Sequence, residues 1–230
     1  LGRYEESEAV YRQAIALDPK YAAPWNNLGN LYLDCLGEFD QADACFRESL
    51  KLDAANSATQ LNRVFLIRDF VGDVESARTQ WRRLDASNWR KFLDVVLLQE
   101  ALFAAYDANW GDARRELGRA LDQTPQGLPP ETLDDWERAA AVLIHLDFGA
   151  EFLALLEERG DQSRLRPYFE AVRIVHAGNP RLLRDLAPEV RVPTEKIHAS
   201  ILTRLDKLPK RTRRRKSPVV VEKKRKGKRA

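Results

Sequence analysis

Sulfur and imidazole side chains are scarce in this chain of 230 residues, which has two cysteines, three histidines and no methionine. Two cysteines cannot build the disulfide framework of many small secreted domains, so we expect a reducing compartment and a cytoplasmic location. His145, His176 and His198 are far apart in the sequence and have no cysteine at ligand spacing, which argues against a zinc motif. We therefore expect neither a metal nor a cofactor.

Long apolar runs are also missing. The longest, AAAVLIHL at Ala139–Leu146, is much shorter than the ~20 residues that a bilayer crossing needs, so we predict a buried helix face and no membrane span. The sequence has no phosphate-binding loop, no His-Glu-x-x-His motif and no nucleophile in a recognisable setting. We predict that this chain is not an enzyme. It starts inside a half-repeat without methionine, so we expect a piece of a longer protein, and a catalytic domain before Leu1 stays open.

A repeat of about 35 residues organises the first half of the chain. Aromatic or apolar residues mark it at two positions, Tyr4, Phe39 and Val74 and then Tyr11, Phe46 and Trp81. Small residues mark two more, Gly2, Gly37 and Gly72 and also Ser7, Ala42 and Ala77. A spacing of this size is typical of one helical or mixed unit that is stacked in a row, because each unit buries its apolar face against its neighbours.

The best-preserved unit reads YAAPWNNLGNLYLDCLGEFDQADACFRESLKLDAAN from Tyr21. Residues three or four positions apart form one helical stripe, made of Trp25, Leu28, Gly29 and Tyr32. Gly37 ends this first helix, and a second helix carries another stripe, made of Phe39, Ala42, Phe46, Ser49 and Leu50. Small residues in both stripes allow the two helices to approach closely, and we interpret Cys35 and Cys45 as small apolar fillers between them.

This pattern, W-x-x-L-G-x-x-Y, then G-x-[YF]-x-x-A-x-x-x-[YF] and a closing D-P, resembles the tetratricopeptide repeat family over Leu1–Asn56. The third unit keeps Gly72, Ala77 and Trp81 in register. A fourth unit is inferred from residues 36 positions further on, Trp110, Ala113, Leu117 and Ala120, with a first helix through Leu97 and Ala101. The resemblance implies an all-α, right-handed solenoid of antiparallel helix pairs. It covers residues 1–124 as about three and a half repeats, the first of them truncated.

Proline and glycine residues divide the remainder into further helices, and no strand pattern appears. We predict helices over residues 131–147, 151–159, 163–177, 181–187 and 194–207. Residues 125–206 are therefore a helical C-terminal extension, with degenerate repeats as an open alternative. Residues 164–205 are similar to the C-terminal end of arrays in large bacterial signal-transducing NTPases of the STAND type. That likeness implies a second function, a regulatory module of a nucleotide-hydrolysing signalling protein.

Charge is divided unevenly along the chain. Residues 207–230 contain thirteen of the 38 lysines and arginines and a single acid, which gives +12 there and −9 over the first 206 residues. We predict a disordered basic tail. Its cations could contact nucleic acid or another polyanion weakly, and a solvated tail without a partner is the alternative. The candidate contacts are Arg211, Arg213, Arg214, Arg215, Lys216, Lys223, Lys224 and Arg225.

The resemblance also implies where a ligand binds, because the first helix of every unit in such an array lines the concave face. The polar residues expected there are Asn26, Asn27, Asn30, Asn62, Arg63 and Gln99. Asn27, Arg63 and Gln99 share one register at 36-residue spacing and could hold a peptide backbone. Arrays that clamp a terminal carboxylate need lysine in place of Asn26 and asparagine in place of Arg63, so no carboxylate clamp is expected. We predict a scaffold or sensor that binds a protein or peptide in this groove.

Overall fold

The computed structural model describes residues 2–84, 93–123, 130–159 and 165–210. Within these ranges the chain is helical and contains no strand. The predicted polyanion contacts between Arg211 and Arg225 lie outside them. No helix in the described part combines the length and the apolar character needed to cross a membrane.

Eleven α-helices follow one another along the described ranges. They are α1 (Gly2–Leu17), α2 (Ala22–Asn30), α3 (Phe39–Leu52), α4 (Ser57–Phe65), α5 (Val74–Arg82), α6 (Leu93–Tyr106), α7 (Trp110–Asp122), α8 (Pro130–His145), α9 (Gly149–Arg159), α10 (Arg166–Ala177) and α11 (Pro188–Lys207). From α2 to α9 they pair as first and second helices of successive units. Each second helix packs against its own first helix, and α3, α5 and α9 also contact the first helix that follows. The predicted all-α solenoid of helix pairs is confirmed.

Close contact between α2 and α3 is what the small residues in the repeat make possible. Phe46 is completely buried and lies against Gly29, where a β-carbon would come within 2.5 Å of the ring atom Cε1. Ala42, one turn earlier on α3, is also fully buried. The glycine and the alanine therefore admit the phenylalanine ring between the two helices, and this pair forms one apolar cluster with Leu28 and Tyr32.

The first helices of two units end in an unusual way. Helix α2 continues as a π-helical segment, Leu31–Leu36, and α4 continues as a second one, Leu66–Val71. Each segment stops at a glycine with a left-handed backbone, Gly37 at φ 70° and Gly72 at φ 79°. A side chain would strain this conformation, so the glycines at 35-residue spacing are the residues that end the first helices.

Three helices of the array begin at polar caps. Asn56 accepts a hydrogen bond from the backbone N–H of Thr59, Asp73 accepts one from Ser76, and Asn109 accepts one from Asp112. The first of these caps begins α4, and the other two begin the second helices α5 and α7. A cap of this kind satisfies one of the unpaired N–H groups at a helix start and stabilises it by ~1 kcal/mol.

Helices α6 to α11 share the largest apolar cluster, which crosses the boundary predicted at residues 124 and 125. The helix predicted over 131–147 is α8. The sequence favours Gly149 as the residue that ends this helix, but the turn is made by Asp147, at φ 67°. Gly149 is instead the first residue of α9, where its missing β-carbon leaves room for the ring of His176. Burial of a helix start against α10 thus explains this glycine better than helix termination does.

Two predictions near the end of the chain are wrong. Residues 181–187 do not form an α-helix, because Pro180–Asp185 is a 3₁₀-helix that starts after the Asn179 cap. The last helix does not start at Thr194, because α11 begins at Pro188 and includes Pro193. Proline fits the first turn of a helix, where no backbone donor is needed, and Pro193 sits only one turn further on. The Thr194 hydroxyl donates to the backbone carbonyl of Val190 at 2.6 Å. This carbonyl, which lies near the proline, therefore has a hydrogen-bond donor.

Replacing Gly29 with alanine should destabilise the array. The new β-carbon would collide with the buried Phe46 ring, which is enclosed on all sides, so we expect the free energy of unfolding to fall by ~1–3 kcal/mol. Gly111→Ala is the matched control, since the nearest atom to its β-carbon is Asn109 Oδ1 at 3.6 Å. Urea denaturation followed by circular dichroism measures both, and equal stabilities for the two variants would contradict the packing described here.

Candidate protein-binding face

Equivalent positions of the first helices lie side by side. Asn26 on α2 and Asn62 on α4 are 36 residues apart, and the Asn62 side-chain amide donates to Asn26 Oδ1 at 3.2 Å. The same register continues to Leu98 on α6 and Asp134 on α8. We call the surface formed by these helices the first-helix face. The hydrogen bond between Asn26 and Asn62 shows that the predicted polar positions of two units meet on it.

The predicted site residues on α2 and α4 are accessible to different degrees. Asn27 is exposed, whereas Asn26, Asn30, Asn62 and Arg63 are half-buried. Asn26 also donates weakly to Asn27, across 3.5 Å. The structure joins Asn26 to Asn62 and to Asn27. That all five residues form one ligand surface stays a prediction.

Arg63 is held in place from both sides. Its Nε donates to Asp43 Oδ1 on α3 at 2.8 Å, and another guanidinium nitrogen donates to Gln80 on α5 at 2.7 Å. The ion pair is about a quarter exposed, so its Coulomb energy is partly screened by water. The arrangement fixes the direction of the guanidinium and leaves it between two units.

Gln99 is not part of the accessible surface, so the predicted ladder of Asn27, Arg63 and Gln99 is wrong at Gln99. Only 1% of Gln99 is exposed, and its side-chain oxygen accepts a hydrogen bond from Arg68 at 2.8 Å. A ligand cannot reach a buried amide that is already paired. The 36-residue register therefore predicts the position of Gln99 on the helix but not what covers it.

A fully buried charge explains why the side chain of Gln99 is already hydrogen-bonded. The Arg68 side chain is completely buried, and it donates to both carboxylate oxygens of Asp69, at 2.7 and 2.9 Å, in addition to Gln99. The Tyr106 hydroxyl donates to Asp69 at 3.2 Å. The guanidinium carbon lies 5.1 Å from the centre of the Phe103 ring, within the range of a cation–π contact. We call Arg68, Asp69, Gln99 and Tyr106 the central network.

Sequence reasoning missed the central network, although the repeat contains a trace of it. Arg68 is 36 residues after Tyr32 and therefore stands where the repeat motif has its tyrosine. Tyr32 itself is buried and its hydroxyl is paired with Glu8 and Arg12, each at 2.7 Å. A charged residue at a buried aromatic position is the observation that would have predicted an internal ion pair.

A second group of charges connects the two ends of the described chain. Asp34, in the π-helical end of α2, lies 3.3 Å from Arg138 on α8 and 3.7 Å from Arg204 on α11. Arg138 also stacks 4.3 Å from the centre of the Phe65 ring. Arg204 pairs in addition with Asp134 on α8. We call Asp34, Asp134, Arg138 and Arg204 the charge clasp.

Burial changes the proton affinity of groups beside the charge clasp. Desolvation raises the pKa of Asp135, and it also raises the pKa of Glu137, against the opposite effect of a hydrogen bond from Ser200. Desolvation lowers the pKa of Lys207, although the negative charge of Asp34 acts in the other direction. Each shift favours the neutral form of its group, because burial withdraws water from the charged form.

The described residues offer little chemistry beyond hydrogen bonding and ion pairing. No group of three or more metal-ligating side chains occurs among them. Cys35 is exposed, Cys45 is 6% exposed, and both are free thiols. Burial raises the pKa of Cys45 to about 11 and that of Cys35 in the same direction. A thiol with a raised pKa is a poor nucleophile at neutral pH.

Exchanging Arg68 for methionine should remove much of the stability of the chain. The substitution leaves the Asp69 carboxylate buried without its cation, and we expect a loss of ~3–5 kcal/mol in urea denaturation. The double variant Arg68→Met with Asp69→Asn removes both charges and should lose considerably less. If the double variant is as unstable as the sum of both single variants, the two side chains do not act as a pair.

Cys45 should react with iodoacetamide only when its helix pair opens. At pH 8 a pKa of about 11 leaves about a hundredfold less thiolate than the ordinary thiol pKa of 9.0 would. In a Cys35→Ala variant, which isolates the signal, we expect negligible labelling by mass spectrometry without denaturant and rapid labelling in guanidinium. The raised pKa also means that Cys45 stabilises the fold less as the pH increases from 9 through 11, so labelling should begin in that window.

Comparison with known families agrees with the geometry of the first helix pairs. A family model described as TPR repeat matches residues 1–34, and one described as Tetratricopeptide repeat matches residues 22–56. No curated protein matches the chain. Both matched segments end before residue 164, so the likeness of residues 164–205 to arrays in signalling NTPases stays a prediction. Residues 1–56, which include α1, α2 and α3, therefore match the tetratricopeptide repeat family.

Proposed function

We propose that this chain is a protein-recognition module that binds a peptide or protein on its first-helix face. Tetratricopeptide repeats generally mediate protein–protein interaction and generally act as non-catalytic scaffolds. The observation that carries the proposal is the hydrogen bond between Asn26 and Asn62, which joins equivalent polar positions of two units. A continuous polar surface across two units gives an elongated ligand more than one point of attachment.

The chemistry of this surface suits a peptide main chain. An asparagine amide both donates and accepts hydrogen bonds, as does each peptide unit, so a row of asparagines can bind a backbone without reading its side chains. Arg63 adds donors in a direction that Asp43 and Gln80 have already fixed. A side chain that is ordered before binding loses less conformational entropy on binding, which increases affinity.

With α11 in place, the accessible ligand surface is the beginning of the first-helix face. It comprises Asn26, Asn27, Asn30, Asn62 and Arg63, and Gln99 is excluded because the central network buries it. We therefore infer a binding surface of two units, built on α2 and α4. The cytoplasmic location and the bacterial origin suggested by the sequence stay predictions, as does polyanion contact through the basic tail.

Changing Asn27, Asn30 and Arg63 together to alanine should abolish partner capture while helicity is retained. Arg63 contributes a partly exposed ion pair, so we expect the free energy of unfolding to fall by no more than ~1 kcal/mol. The measurement is affinity capture from cell extract with quantitative mass spectrometry, followed by calorimetry with the captured protein. The control replaces three exposed residues of second helices, Lys51, Thr79 and Arg82, with alanine. Equal capture by both triple variants would refute the proposed surface.

A further inference from the structure

The last helix departs from the order of the array. The second helices α3, α5 and α9 pack against their own first helix and against the first helix that follows. Helix α11 packs against α10, its own partner, and then against α8, a first helix that precedes it. The chain therefore turns back at its end and places α11 on the first helices of earlier units.

Long side chains extend this contact to the beginning of the array. Arg204 reaches Asp34 at the end of α2, across a sequence separation of 170 residues, and it pairs with Asp134 on α8. Asp134 occupies the same repeat position as Asn26 and Asn62, and Asp34 lies one helical turn beyond Asn30. Helix α11 thus contacts the continuation of the surface on which we place the ligand.

The apolar part of this contact is small. Only Thr194, Ile197 and Ile201 are buried among the twenty residues of α11, whereas α8 buries every residue from Trp136 to Leu143. Helices with few buried apolar residues open more easily than the rest of a fold. The remaining attachment is ionic and partly exposed, since 32% of the Asp34 side chain and 61% of the Asp134 side chain are accessible. Salt screens pairs of this kind.

The docked arrangement also leaves donors unpaired. Two nitrogens of Arg138, Nε and one terminal nitrogen, are buried without a hydrogen-bond partner, and so is Nε of Arg204. A buried donor without an acceptor costs free energy, which reduces the advantage of the docked form over an open one. The helix is therefore held by contacts that a competing molecule could replace or improve.

We propose that α11 is an internal ligand of the first-helix face, and that the external partner is an amphipathic helix that competes with it. Ile197, Ile201 and Arg204 stand at positions i, i+4 and i+7, the spacing with which a helix occupies a groove. The partner carries two apolar residues and an arginine at this spacing, and its arginine pairs with Asp34 and Asp134. This inference rests on the proposed function and adds a second segment to its ligand. An extended segment of the partner would lie along the asparagines of α2 and α4, and a helical segment of the same partner would replace α11.

Hydrogen exchange of the full chain tests whether α11 opens. Arg204→Ala removes the pairs with Asp34 and Asp134. Amide exchange of residues 194–207 should then accelerate about tenfold, a change between the effect of losing an exposed ion pair and that of losing a buried one. Exchange in α8 should stay unchanged. The matched control is Arg191→Ala, because Arg191 lies on the same helix and pairs only with Glu195 of α11 among the described residues. Raising the NaCl concentration to about 0.5 M should accelerate exchange in the unmodified chain in the same residues.

A synthetic peptide with the sequence of residues 188–208 tests whether α11 is a replaceable ligand. By fluorescence anisotropy it should bind the Arg204→Ala chain about tenfold more tightly than the unmodified chain, because the internal helix occupies the site less often in the variant. A peptide in which Arg204 is replaced by glutamate should not bind either chain. If α11 exchanges as slowly as α8 in every variant, or if the native-sequence peptide binds neither chain, α11 is a fixed part of the fold and the inference fails. Loss of partner capture by the Asn27, Asn30 and Arg63 variant would still support the proposed function.

Discussion

The guanidinium of Arg68 is entirely removed from water, and this burial determines how the first-helix face is divided. A buried cation must be matched by an anion and by acceptors within hydrogen-bond distance, because desolvation otherwise costs several kcal/mol. Asp69, Gln99 and the aromatic rings around them meet this requirement. The units that contain α4 and α6 are consequently joined at their centre. Only the part of the face before this point stays open to a ligand.

On either side of the central network the same helices have different surroundings. On one side, Asn27 is exposed and Asn26 meets Asn62. On the other side, the charge clasp and α11 occupy the continuation of the face. One surface thus has a section for an external molecule and a section that the chain covers with its own helix.

The repeat pattern predicted the fold well because the pattern is itself a record of packing. Ala42 recurs as Ala77 and Phe46 as the aromatic Trp81, because two helices can approach closely only with a small residue beside an aromatic ring. The end of the chain was harder to predict, since no repeat constrains it. Pro193 was taken as a helix boundary, but a proline one turn into a helix removes a single hydrogen bond and α11 accommodates it.

The candidate site was predictable only in part. Spacing predicted that Asn26 and Asn62 lie side by side, because equivalent residues of neighbouring units do so, and their hydrogen bond agrees with it. It could not show that Gln99 is buried and paired, since this depends on a contact with Arg68 that the repeat motif does not contain. Asp34, Arg138 and Arg204 were missed for the same reason. Contacts over more than 100 residues leave no periodic pattern in a sequence.

The π-helical ends of α2 and α4 have a consequence for how such arrays tolerate change in chain length. The tetratricopeptide unit has 34 residues, and the units here are spaced by 35 or 36. A π-helical turn contains more residues than an α-helical turn, so it can hold the surplus within Leu31–Leu36 and Leu66–Val71. The next helix pair then begins in the same orientation relative to the array. An insertion in the first helix of a unit is thereby absorbed as a local bulge, and stacking further along the superhelix remains intact.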